Sequence, residues 1–205
     1  LFSFIQIILF FQEHLIIERG YPFESHRVTT SDGYILELHR VPPHDHTINI
    51  AKSRYPVLLQ HGLWSSSADW MIPDVNFSLG YQLCNCGFDV WLGNSRGNTY
   101  SRNHIKLSAE KQPDQFWNFS FHEMGIYDLP AAIDFILSTT GHKKLYYVGH
   151  SQGTTIFFVL TASKPEYNEK IGAMVGLAPV AYLANMKSPS LRKLASIADS
   201  IMVIN

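Results

Sequence analysis

From residue 55 onward, short apolar runs of strand length alternate with longer stretches of helical periodicity. Residues 56–60, 88–92, 145–148 and 173–178 read as strands. Residues 79–86 read as a helix ended by Gly87. A second helix starts near Asp128, a suitable N-cap, with Pro130 in its first turn, and carries Ala132, Ile133, Phe135 and Ile136 on to Gly141. A third, over 153–162, is apolar around most of its surface and is expected to be buried. Ahead of these, residues 26–30 and 34–41 flank Ser31-Asp32-Gly33, which predicts a β-hairpin with a glycine turn. A polar loop follows over 42–54. Strands alternating with helices imply right-handed crossovers, and hence a largely parallel sheet with helices on both faces.

In such a sheet reactive groups gather beyond the carboxyl ends of the strands. Three strand ends carry unusual residues: His61-Gly62-Leu63-Trp64, Gly93-Asn94-Ser95-Arg96-Gly97-Asn98 and Gly149-His150-Ser151-Gln152-Gly153. A serine hydroxyl is a poor nucleophile until it is exposed, given a base and set beside an anion site. The third segment lies between a strand and a helix, so a sharp turn would expose Ser151, and its glycines would let two backbones pass closely. Ser151 is the candidate nucleophile. The N–H of Gln152 opens the following helix, where negative charge is favoured. A second oxyanion donor is expected from the N–H of Leu63, on the strand that should neighbour the one leading to Ser151. His61 is expected to brace that oxyanion loop, and His150 to project away from the hydroxyl. Residues 94–98 read as a tight structural loop, with an ion-pair role for Arg96 as the lesser alternative. Asp128 reads as a helix cap rather than a triad acid.

Composition narrows the picture little. The 205 residues are 46% hydrophobic and 16% charged, with a formal net charge of −1. That suits one sizeable core and gives no reason to expect nucleic acid as a partner. Cys84 and Cys86 are too close in sequence for an easy mutual disulfide and read as small buried core residues. His44-Asp45-His46 reads as a solvated loop rather than a metal site, and no metal or organic cofactor is implied. The apolar run over residues 1–11 is shorter than the ~20 residues a membrane span needs, and residues 1–13 read as a signal-peptide remnant or an unassigned apolar segment. All ten histidines lie at or before His150, and the only acids after Ser151 are Glu166, Glu169 and Asp199. In a hydrolase triad ordered serine, acid, histidine, both partners of Ser151 are therefore expected to be absent from this chain, which reads as a fragment. The strand near Val175 would then lack later neighbours, and its free edge would invite aggregation.

The motifs taken together resemble the acid lipase family, which includes gastric and lysosomal acid lipases and related insect enzymes. They are Arg19-Gly20-Tyr21-Pro22, Asp32-Gly33-Tyr34-Ile35-Leu36, Gln60-His61-Gly62-Leu63, the run Asp89 to Asn98, Tyr127-Asp128-Leu129-Pro130 and Tyr147 to Gly153. The resemblance implies an α/β-hydrolase fold, mostly parallel in its central sheet with flanking helices, and truncated at the start of a cap. The core would cover residues 14–180 and the helical cap would begin over 181–205. It implies hydrolysis of acylglycerols or sterol esters at a lipid–water interface by a secreted or lysosomal glycoprotein. It maps the nucleophile onto Ser151 and the oxyanion amides onto Leu63 and Gln152. The family's Asp and His follow the cap and have no counterpart here.

Two alternatives stay open. One is a catalytically incomplete fragment or pseudoenzyme that at most binds lipid; the other is a different serine hydrolase, a peptidase or thioesterase, on the same fold. Two glycosylation sequons begin at Asn76 and Asn118. The first falls in an expected surface loop, and the second lies among Phe116, Trp117 and Phe121, where burial would oppose it.

Overall fold

The computed structural model describes residues 12–43, 54–182 and 187–189. The apolar run over 1–11, the His44-Asp45-His46 loop and most of the expected cap stretch lie outside the described residues. A short helix α1 (12–18) leads into the hairpin of β1 (Glu24–Thr29) and β2 (Tyr34–Val41). The hairpin turn is closed by Thr30 N–H donating to the Tyr34 carbonyl at 2.8 Å. Gly33 takes a φ of +102° there, and a Cβ would run into the His104 ring at 2.8 Å, so the position admits only glycine.

The alternating elements follow: β3 (Pro56–Gln60), α2 (Leu79–Asn85), β4 (Asp89–Gly93), the two-residue β5 (Asn103–His104), the short helices α3 (Pro113–Phe116) and α4 (Phe121–Glu123), α5 (Leu129–Thr140), β6 (Leu145–His150), α6 (Gln152–Ser163) and β7 (Ile171–Leu177). They form one sheet in the order β1-β2-β4-β3-β6-β7, with β5 added to β2. β4, β3, β6 and β7 run parallel, while β2 joins β1, β4 and β5 antiparallel. The largely parallel sheet expected from the pattern is present, with an antiparallel hairpin at one end.

Successive side chains on a strand face opposite ways, and the two cores show it. Leu58, Trp91 and Tyr147 pack with Ile133, Ile136 and Leu160 on the face covered by α5 and α6. Val57, Leu59, Val90, Leu92 and Val148 pack with Tyr81, Met71 and Ile16 on the face covered by α2 and α1. Each such side chain, fully buried, contributes about 1.5–3 kcal/mol. The central strands β3 and β4 are buried along their whole length, as strands covered on both faces must be.

Four expectations change. The helix before β6 begins earlier than Asp128: Ser120 and Glu123 form a reciprocal capping box at the start of α4. A π-helical turn over Met124–Asp128 then carries the chain into α5. Asp128 accordingly has right-handed helical dihedrals and caps nothing. Cys84 is buried as expected, but Cys86 is exposed, because it stands at the C-terminal end of α2 where the chain turns outward. The helix α6 is only half covered, leaving Phe158 38% exposed. Beside it, β7 is the last strand of the sheet among the described residues, with Val175 and Leu177 exposed. Among those residues no helix is long and apolar enough to cross a membrane, and no group of three His, Cys, Asp or Glu is placed to hold a metal ion.

Candidate active site

Ser151 stands at the N-cap of α6 with φ 50° and ψ −116°, a conformation that an L-residue rarely adopts. Such backbone strain costs about 1–3 kcal/mol and persists only where the surroundings enforce it. Here they do. Ser151 N–H donates to the Leu177 carbonyl at 2.9 Å, and its own carbonyl accepts from the N–H and the hydroxyl of Thr154. The buried Tyr147 hydroxyl donates to the Gly153 carbonyl at 2.7 Å. A Cβ at Gly153 would fall 2.5 Å from the Gln60 carbonyl oxygen, so only glycine lets α6 start this close to the end of β3. That close approach places the oxyanion loop against the nucleophile turn.

β3 and β6 are paired neighbours, Gln60 opposite Gly149. Gly62 therefore lies beside Ser151, an added Cβ there being only 3.1 Å from the serine Cβ. Leu63 and Gln152, the two expected amide donors, both line a cavity of about 470 Å³ at this end of the sheet. Trp64, Ser95, Asn98, Trp117, Phe119 and Met124 are among its other walls. A mostly apolar cavity of that size is ordinary for a small-molecule site.

His61 ties the oxyanion loop to its neighbour. Its Nδ1 faces the Gly62 carbonyl at 2.7 Å, while Nε2 accepts from the Ser95 N–H at 3.1 Å and lies 3.2 Å from the Asn98 amide. This pattern fits only the neutral ring protonated at Nδ1. Burial pushes the pKa of His61 down, outweighing the upward pull of the Gly62 carbonyl and Asp69. The brace expected of His61 is present, and it reaches a second loop as well. His150, by contrast, is exposed and leans over Gly62.

A pH dependence follows. Below about pH 6.5 an unfolded His61 takes a proton that the folded protein refuses. Its contribution to stability is complete above that value and is lost as pH falls toward the depressed folded pKa. His61→Phe should therefore lower stability at pH 8 by about 1–3 kcal/mol, through the unsatisfied Ser95 N–H, and the gap to the parent protein should narrow at pH 5. Urea midpoints at the two values check this; a gap that widens in acid would contradict the neutral-ring assignment.

Arg96 is the residue whose role the sequence least revealed. Only 1% of its side chain is exposed, and its Nη1 and Nη2 grip the Asp32 carboxylate at 2.6 and 3.0 Å. Its Nε donates to Asp128 at 2.8 Å, and its backbone N–H to the other oxygen of the same carboxylate at 3.0 Å. The guanidinium lies 4.1 Å over the Tyr34 ring. Burial pushes the carboxyl of Asp128 up to about 6, against the pull of Arg96. So the lesser reading of Arg96 is the one realised, and Asp128 is its buried counter-ion.

A further network has no sequence signature. Asn94 accepts from Ser67 N–H at 3.0 Å and from Asn98 at 2.8 Å, and donates to the Glu37 carbonyl and the Ser67 hydroxyl. The Ser67 hydroxyl also reaches Gln12 and His39, and His39 Nε2 meets Glu37 at 2.9 Å. These bonds fasten the 94–98 loop to the hairpin. Among the described residues no histidine is hydrogen-bonded to the Ser151 hydroxyl. Both sequon asparagines, Asn76 and Asn118, are exposed.

A sharp turn at a serine, a loop with a free amide beside it and a mostly parallel sheet beneath suggest one kind of scaffold. The sequence profile of the alpha/beta hydrolase fold matches residues 55–202. The chain belongs to the α/β-hydrolase family. A second profile, of a partial alpha/beta-hydrolase lipase region, matches residues 12–74 of this hydrolase. Gastric triacylglycerol lipase of Bos taurus is 50% identical over 169 residues, 82% of this chain and 42% of the relative. Human lysosomal acid lipase/cholesteryl ester hydrolase is 48% identical over 184 residues, 89% of this chain and 45% of the relative. Lipase 1 of Drosophila melanogaster is 46% identical over 191 residues, 93% of this chain and 41% of the relative. Within the family the likeness is thus to the acid lipases, and the chain spans less than half the length of these relatives. An esterase of Pyrococcus furiosus shares the fold at a TM-score of 0.59 and 17% identity, covering 92% of this chain and 62% of that one.

Proposed function

We propose that this hydrolase chain carries the nucleophile and oxyanion half of a lipase that cleaves acylglycerols or sterol esters. Ser151 attacks the ester carbonyl, and the amides of Leu63 and Gln152 hold the oxyanion. The alcohol leaves, and water releases the acyl group from the serine. The acid and the histidine base would come from outside these 205 residues. The observation that carries the reading is the strained Ser151 backbone at the N-terminus of α6, beside the Gly62-Leu63 loop. Nothing in protein stability calls for that strain, whereas an exposed nucleophile requires it.

The same reading takes residues 14–180 as hydrolase core and 181–205 as the start of a cap. It places the protein outside the cell or in the lysosome, with glycans on Asn76 and Asn118, whose exposure suits modification. The substrate is met at a lipid–water interface. The test is covalent labelling of the full-length protein with a fluorophosphonate, followed by peptide mapping. Label on Ser151 alone is expected; a protein with its later acid and imidazole in place that takes up no label would refute the hydrolase reading.

A further inference from the structure

Trp64 is one of several large apolar side chains left in the open, with Phe77 and Tyr182, and of these three it alone has a left-handed backbone. The residue is 78% exposed, and the neighbouring Leu63 is 48% exposed. Its backbone lies at φ 56°, the left-handed region that glycine fills freely and a bulky residue does not. Neither folding nor the oxyanion loop calls for an indole here, since glycine would serve both better. Its position says what it could serve. With Leu63 and the partly exposed Trp117, it borders the mouth of the 470 Å³ cavity, on the water side. An indole combines an apolar body with a polar N–H, which suits the boundary between water and acyl chains. Over 61–72 the only formally charged side chain is Asp69, and the exposed Arg102 that stacks on Trp117 is paired with Glu110 at 3.3 Å. Anionic headgroups would gain nothing from this loop.

From this we propose that Trp64 is the anchor that seats the mouth of the cavity lined by Leu63 and Gln152 on an uncharged lipid surface. The proposal rests on the lipase reading above, which supplies the reason for such a surface to be approached. Insertion of the ring would hold Leu63, whose amide is an oxyanion donor, at the depth of the ester groups.

The experiment separates anchoring from catalysis by working in the inert Ser151→Gly background of the full-length protein. Binding to phosphatidylcholine vesicles loaded with triolein is measured by sedimentation and by tryptophan emission. The parent should bind with a blue shift and be quenched by brominated phosphatidylcholine. Trp64→Gly should weaken partition by about tenfold, in line with loss of a buried aromatic side chain, while melting no lower than its parent. Trp64→Phe should retain most of the binding. In the active protein, Trp64→Gly should lower the ratio of emulsified to dissolved ester hydrolysis by a similar factor. Equal vesicle binding by Trp64→Gly would overturn the proposal. So would a preference for phosphatidylserine vesicles, or resistance of Trp64 to acrylamide quenching before lipid is added, which would show it covered by other parts of the protein. Loss of Ser151 labelling with Trp64-dependent binding intact would remove the lipase reading and leave the anchor standing.

Discussion

Replacing Ser151 by glycine is expected to abolish ester cleavage in the full-length enzyme and, in the same protein, to raise the melting temperature. Loss of the nucleophile from a comparable triad costs about a millionfold in kcat. The stability gain has a separate origin. At φ 50° and ψ −116° serine pays about 1–3 kcal/mol that glycine does not. Glycine gives back up to about 1 kcal/mol because its unfolded chain is freer. No compensating contact is lost, since the serine side chain makes no capping bond and both Thr154 bonds go to the backbone carbonyl. A net gain of about 1 kcal/mol remains. Thermal melts beside rates on a dissolved ester check both halves, and a variant that is inactive but less stable would show that the strain has been misread.

Arg96→Ala should be the most destabilising change in the site region, at about 3–5 kcal/mol. Removing one partner of a buried ion pair strands the other, and Asp128 has no route to water. Asp32, partly exposed, can recover solvent. Arg96→Lys should rescue little, because an ammonium can neither bridge the two carboxylates nor stack on Tyr34. A stranded Asp128 is tolerated only after taking a proton. The loss should therefore be largest at pH 8 and shrink toward pH 5, and adding Asp128→Asn should restore part of it. Urea denaturation at both pH values measures all of this; a cost below about 1 kcal/mol would show that the cluster does not hold the 94–98 loop.

These two residues mark where the sequence was readable and where it was not. Ser151 was legible because strand, turn glycines and helix are consecutive, so chain order alone predicts the geometry. Leu63 could be paired with it because alternating elements put β3 beside β6. Arg96 was opaque because Asp32 and Asp128 come from distant parts of the chain, and a tight loop looks the same with or without a buried charge. The Gln12–His39–Ser67–Asn94 network failed to show for the same reason. The start of the helix at Ser120 is a different case. The pattern Ser120-x-x-Glu123 was present, but Pro130 drew the boundary to Asp128, and periodicity gives no warning of a π-turn that carries a helix across it. For α6, an apolar composition could not say which of its sides neighbouring elements cover.

The pairing of β3 with β6 also has a kinetic meaning. Val57 lies against Tyr146, though the whole of α2, β4 and α5 intervenes between them. Closing so long a stretch of chain is entropically slow, and it is repaid only when both strands meet. The serine turn leans on the Leu177 carbonyl and the amide loop on Ser95, both distant in sequence, and neither amounts to a working centre until the two strands have met. Competence for catalysis should thus arrive late in folding, after most of the helical signal has been regained.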